Sequence, residues 1–146
     1  MKIALACDHG ALELKNTVAA HLEKNGHTAQ DFGTYTAASC DYPDYAAAAA
    51  RAVAAGECEK GIVLCTTGIG VSIAANKVDG IRCALLSDTW SAQMTRLHND
   101  TNMMAMGAGV VGKNLALEIV DTFLGTAFSG DERHSRRIDK LMALEK

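Results

Sequence analysis

The chain has 146 residues, 49% of them hydrophobic and 21% charged, a globular composition long enough to bury a core without staples. Its 14 basic and 17 acidic side chains leave a net charge of −3, which argues against a non-specific nucleic-acid binder, and an aromatic content of 5% argues against a base-stacking platform. No apolar run approaches the roughly 20 residues of a membrane span, and the N-terminal run meets Asp8-His9 too soon for a secretory signal.

Residues 2–7 form a short, nearly continuous apolar run, the pattern of a strand buried on both faces, ending at Asp8-His9-Gly10. Residues 11–24 carry Ala11, Leu14, Val18 and Leu22 at helical spacing and stop at Asn25-Gly26. Residues 28–32 predict a weaker second strand, and 34–44 a loop with the single proline, Pro43. The alanine-rich stretch 45–55 is helical by propensity and halts at Gly56. Residues 61–65 predict a third strand, followed by the turn Thr66-Thr67-Gly68-Ile69-Gly70 and a helix over 71–77. A fourth strand over 81–86, a helix over 91–97, a fifth strand over 102–106, a helix over 113–124 and a charged terminal helix over 131–144 complete the pattern. Five alternations of apolar strand and helix predict an α/β fold. The specific expectation is a Rossmann-like three-layer sandwich, with a five-stranded parallel sheet and a C-terminal helix, as one domain over residues 1–146.

The five cysteines, Cys7, Cys40, Cys58, Cys65 and Cys83, are odd in number and widely spaced, with no C-x-x-C. They read as the reduced thiols of a cytoplasmic protein rather than a zinc site or disulfide framework.

Ligands of open α/β sheets bind beyond the carboxyl ends of the strands. The first strand ends in Asp8-His9 and the third in Cys65-Thr66-Thr67-Gly68-Ile69-Gly70, and the segment after the fourth carries His98-Asn99-Asp100. All three are expected on one edge of the sheet. Taken singly, Asp8 reads equally as a helix cap, His9 and His98 as structural histidines, and Cys65 as an inert thiol. Their joint placement favours a site. A glycine-rich turn from strand into helix exposes backbone N–H groups that bind anions and stabilise developing negative charge. The same field favours a thiolate. A cysteine-nucleophile phosphatase needs an arginine closing the loop, and position 71 is valine. Gly107-Ala108-Gly109-Val110-Val111-Gly112 matches the dinucleotide motif, but no later strand completes the unit, so a nucleotide-binding or sensing module is the weaker alternative. Aldose–ketose isomerisation of a small sugar phosphate uses more of the residues: Cys65 as the base, the loop for enediolate oxygens, His98 for ring opening, and cations for the phosphate. Arg133 and Arg137 stand four apart on one helix face, with Arg136 beside them.

Asp8-His9, Asp41-Tyr42-Pro43, Cys65 with Thr67-Gly68-Ile69-Gly70, the run 72–77, Ser91-Ala92-Gln93 and His98-Asn99-Asp100-Thr101-Asn102 together resemble the type B ribose-5-phosphate isomerases. That wider family includes galactose-6-phosphate and allose-6-phosphate isomerases. The resemblance spans the chain. It implies a Rossmann-like homodimer, in some members a tetramer, needing no metal or organic cofactor, with active sites at the subunit interface and no nucleic-acid or membrane partner. It implies Cys65 as the proton-shuttling base, His98 as the ring-opening group and Thr67 as a member of the catalytic loop. Asp8, His9, Thr66, Gly68, Ile69, Gly70 and Asn99 are implied substrate contacts, and Arg133 and Arg137 the phosphate contacts. Ribose 5-phosphate is the implied substrate, with allose 6-phosphate, galactose 6-phosphate or a tetrose phosphate as alternatives. Two departures stand out. Thr66 replaces the glycine of the Cys-Gly-Thr-Gly loop of many members, a costly change if that position needs positive φ. Gly109 replaces an arginine, and Arg136 is a candidate to make up the lost phosphate contact.

Overall fold

The structure is a computed structural model and describes residues 1–145. Five strands, β1 (Lys2–Cys7), β2 (Thr28–Asp31), β3 (Lys60–Cys65), β4 (Cys83–Leu85) and β5 (Met103–Gly107), form one parallel sheet in the order β2-β1-β3-β5-β4. Six helices connect and cover it: α1 (Leu12–Lys24), α2 (Tyr42–Ala54), α3 (Ile69–Ala75), α4 (Thr89–Asn99), α5 (Lys113–Gly125) and α6 (Glu132–Met142). The expected Rossmann-like sandwich, with its five-stranded sheet and terminal helix, is the observed fold.

The three central strands are the continuously apolar ones, because side chains on both faces are covered. Ile3, Leu5, Ile62, Leu64, Met104 and Met106 face α1 and α5, meeting Leu14, Val18, Leu22, Ile119 and Phe123. The alternate residues Ala4, Ala6, Val63, Cys65, Met103 and Ala105 face α2 and α3. That second face is built from small residues, and so is the surface of α2 against it, Ala46, Ala49 and Ala50. The alanine run is thus a close-packing surface. β2 is polar because it is an edge strand, with Thr28 and Asp31 exposed.

Helix α2 begins at Tyr42, three residues before the expected start. Pro43 lies in its first turn, where a missing N–H costs nothing, so the proline opens the helix rather than marking a loop. On the other edge, Asn76 at the end of α3 takes over the outside of β4. Its side chain donates to the Cys83 carbonyl at 2.9 Å and accepts the Cys83 N–H at 2.8 Å.

Candidate active site

The carboxyl edge of the sheet gathers the first half of the expected site. Asp8 follows β1 directly, with its N–H on the Leu64 carbonyl at 3.1 Å. Its nearly buried carboxylate accepts the Gly10 N–H at 2.9 Å and so caps a 3₁₀ turn, His9–Ala11, that leads into α1. The capping reading of Asp8 is therefore correct, and it still places the carboxylate beside Thr66. His9 is exposed at this edge. The Cys40 N–H points at its Nδ1 from 3.3 Å, which leaves Nε2 to carry the proton of the neutral ring.

Cys65 closes β3, and its Sγ accepts the Gly68 N–H at 3.0 Å. Thr67 Oγ1 lies 4.0 Å from the sulfur and accepts the Ile69 N–H at 3.2 Å. The loop thus turns one amide donor, the Gly68 N–H, onto the thiol. Gly68 sits at φ +78°, the one loop position that demands glycine. Thr66 does not: Asp100 is the only non-glycine residue with positive φ among the described residues, so threonine is unstrained there.

Three glycines explain why the loop holds this shape. A Cβ on Gly107 would lie 2.5–2.8 Å from Thr67 backbone atoms. The first glycine of the apparent dinucleotide motif therefore serves the close approach of β5 to the cysteine loop. Beyond it, the Ala108 and Gly109 N–H groups donate to the Cys65 and Thr66 carbonyls at 2.8 and 2.9 Å. The Thr66 side chain fills the space between Gly10 and Gly109. A Cβ on Gly10 would collide with its Oγ1, and one on Gly109 would stand 3.3 Å from its methyl. The two departures, Thr66 and Gly109, are thus one matched change in packing.

His98 and Asn99 are not on this edge, contrary to expectation. α4 starts beyond the carboxyl end of β4, runs back antiparallel, and ends where β5 begins. His98 and Asn99 therefore lie at the amino edge, separated from Cys65 by the length of β5, roughly 13 Å from Met103 to Gly107. The arginines lie with them. The His98 ring stacks on His134 of α6, centroids 4.4 Å apart, and Arg133 and Arg137 flank His134 on that helix. Arg133 pairs with Asp131 at 3.2 Å, whereas Arg136 and Arg137 are exposed and form no ion pair among the described residues. The expected site residues of one chain thus fall into two groups on opposite edges of the sheet.

The turn that ends α4 is clamped. Asp100 takes φ 44°, and its Oδ1 accepts Arg96 Nη1 at 2.8 Å. Arg82 donates to the Asp100 and Asn99 carbonyls at 2.7 and 3.0 Å. Nearby Lys60 has its pKa lowered by burial and by Arg96 and Arg82.

The sequence reading missed several neighbours of the site. Tyr42 lies across Gly70, Cys40 contacts His9, and His134 supports His98. The Tyr42 ring signals itself only through its neighbour Pro43, which fixes the start of α2 at the mouth. Lys15, 1% exposed, bonds Asp31 at 2.8 Å and the Thr34 carbonyl at 2.5 Å, and so anchors the segment that leads to Cys40. Its signal was positional, since residues 11, 15, 18 and 22 share one helix stripe.

Burial pushes the Cys7 thiol up to about 11 and the Cys83 thiol up to about 12, and raises Cys58, so these three are packing residues. Among the described residues no cluster of His, Cys, Asp and Glu is arranged to hold a metal ion, and no helix is long and apolar enough to cross a membrane.

The Ribose/Galactose Isomerase family model matches residues 3–141. Ribose-5-phosphate isomerase B of Escherichia coli is 48% identical over 144 residues, covering 99% of this chain and 96% of that one. D-erythrulose-4-phosphate isomerase of Pectobacterium atrosepticum is 43% identical, covering 89% and 86%. The structure of Clostridium thermocellum ribose-5-phosphate isomerase B superposes with a TM-score of 0.97 at 50% identity, covering 99% and 97%. With this five-stranded parallel fold and matches along nearly its full length, the chain belongs to the ribose/galactose isomerase family.

Proposed function

We propose that the protein interconverts ribose 5-phosphate and ribulose 5-phosphate through an enediolate, as a single-domain enzyme of the cytoplasm assembled at least as a homodimer. The observation that carries the reading is the Cys65 sulfur, held at a strand end by the Gly68 N–H at 3.0 Å in the glycine turn. A cysteine sulfur at a strand end with an amide donor on it suits proton abstraction next to a carbonyl. In the aldose-to-ketose direction His98 assists ring opening. Cys65 then removes the C2 proton as the C1 carbonyl becomes an enediolate oxygen, and returns it to C1 while the O2 proton passes to O1, leaving the C2 carbonyl of the ketose. Thr67 and the Gly68–Gly70 loop hold the enediolate oxygens. Asp8, His9, Thr66 and Asn99 orient the sugar, and Arg133 and Arg137 take the phosphate.

His98 and the arginines cannot reach Cys65 within one chain, so a second copy supplies them. Tyr42, Ile69, Ile73, Leu85 and Trp90 are large apolar side chains left 40–70% exposed around the carboxyl edge and β4, which supports docking of a partner there. The five unpaired cysteines fit a reducing compartment.

The test is isomerisation of ribose 5-phosphate beside allose 6-phosphate, galactose 6-phosphate and D-erythrulose 4-phosphate, with Cys65→Ala as control. Preference for ribose 5-phosphate, lost in the variant, is the expected result. Preference for the tetrose phosphate would reassign the substrate to the chemistry named for the Pectobacterium relative. Turnover that survives Cys65→Ala would remove the base.

A further inference from the structure

His134 is the one imidazole of the chain that is both buried and in face-to-face contact with another. Its ring is 7% exposed, whereas His98 above it is exposed, and the planes are 20° apart with centroids at 4.4 Å. No side chain among the described residues hydrogen-bonds either ring. The stack is therefore the one directional contact of the His98 ring among the described residues. We propose that His134 is the positioning residue for His98, its buried ring serving as the flat support that holds the exposed imidazole in one orientation for the sugar. This rests on the reading of His98 as the ring-opening group.

The surroundings of the pair bias the support toward its neutral form. Facing His134 are His98 from α4, Arg133 and Arg137 from α6, and Asp131 at the start of α6. Burial first, then His98 and the two arginines, hold the His134 pKa below the ordinary histidine value, with Asp131 opposing. The lowered pKa biases His134 toward its neutral form, so the support is an uncharged ring.

An aromatic stack is worth a preference of roughly two- to tenfold for one orientation. The test compares His134→Phe, His134→Ala and His98→Asn on two substrates, a sugar phosphate that closes into a ring and a tetrose phosphate that cannot. Phenylalanine keeps a flat support without a titrating group. The expected result is near wild-type turnover for His134→Phe on both substrates. His134→Ala should lose roughly two- to tenfold on the ring-closing substrate alone, and should add little further loss when introduced into His98→Asn. Equal losses on both substrates in His134→Ala would make the role merely structural, and a Phe variant as poor as Ala would make His134 a proton carrier. Each outcome overturns the proposal. NMR of the His98 ring protons reads positioning without catalysis. Their ring-current shifts should persist in His134→Phe and collapse in His134→Ala, and unchanged shifts in both would also overturn it. If His98→Asn has no effect on the ring-closing substrate while the shifts behave as expected, the ring-opening reading fails and the positioning stands.

Discussion

Lys15→Met isolates a buried ion pair that stands behind the site. Methionine keeps the unbranched apolar stem and removes the ammonium, whose partners are Asp31, the Thr34 carbonyl and the Tyr35 ring at 4.7 Å. Removing one partner of a buried pair costs about 3–5 kcal/mol. Here the Asp31 carboxylate is one-third exposed and keeps the Gly33 N–H at 2.8 Å, so water and that amide recover part of its loss. The buried Thr34 carbonyl keeps only the weak Cys7 thiol donor at 4.0 Å and accounts for about 1–3 kcal/mol. The ammonium's own dehydration is also relieved. The net expectation is a loss of about 2–3 kcal/mol, which for a chain of this size lowers Tm by roughly 5–10 °C. Urea unfolding at fixed protein concentration measures it, with Asp31→Asn and the double variant completing a cycle. A Lys15→Met protein within about 0.5 kcal/mol of wild type would refute the reasoning, because it would mean that dehydration of the ammonium cancels its bonds.

Mixing Cys65→Ala and His98→Asn chains tests the shared site: each homodimer should be inactive, and random re-pairing should restore about a quarter of the sites. An inactive mixture, with re-pairing confirmed by mass spectrometry, would place both groups of a site in one subunit. Gly107→Ala should cost about 1–3 kcal/mol and most of the turnover, because its methyl enters the Thr67 backbone, whereas Gly125→Ala, with open space around it, should preserve both in thermal melts and assays. Stability should also carry a histidine signature. The folded pKa of His134 is depressed, so its contribution is complete above about pH 6.5 and is lost as pH falls from there toward the folded value. Denaturant midpoints between pH 7 and 5 should fall less steeply in His134→Phe than in wild type, and identical slopes would remove that assignment.

The sheet was legible because each central strand is apolar on both faces and each helix has a clear stop, such as Asn25-Gly26 after α1. The cysteine loop was legible because strand, glycine turn and helix follow one another without interruption. His98 was misplaced because a motif's position in sequence says which element it ends, not which edge that element reaches. Placing it required counting the antiparallel return of α4. Lys15 was hidden by its type, since a lysine on an apolar stripe reads as solvated until a partner for its charge is found, and Asp31 lies sixteen residues away. The His98–His134 stack joins two helices far apart in sequence, and no local pattern encodes it. The matched packing of Thr66 with Gly10 and Gly109 brings together three separate loops, so two of its positions read as unrelated departures.

Asn76 has a bearing on how copies of the chain meet. Its amide meets the outward N–H and C=O of Cys83 as a neighbouring strand would, which leaves Leu85 as the only residue of this three-residue strand with a free outward backbone. A sixth strand from another molecule would find a single rung, so the sheet ends with its own chain and resists the stacking that turns open edges into fibrils. Association at this margin must then proceed through side chains, and side chains can be arranged to present a histidine and a pair of arginines to a neighbour's cysteine. Closing the ladder with one asparagine thus separates two kinds of self-recognition, the unlimited kind that backbone offers and the finite kind that a paired catalytic centre requires.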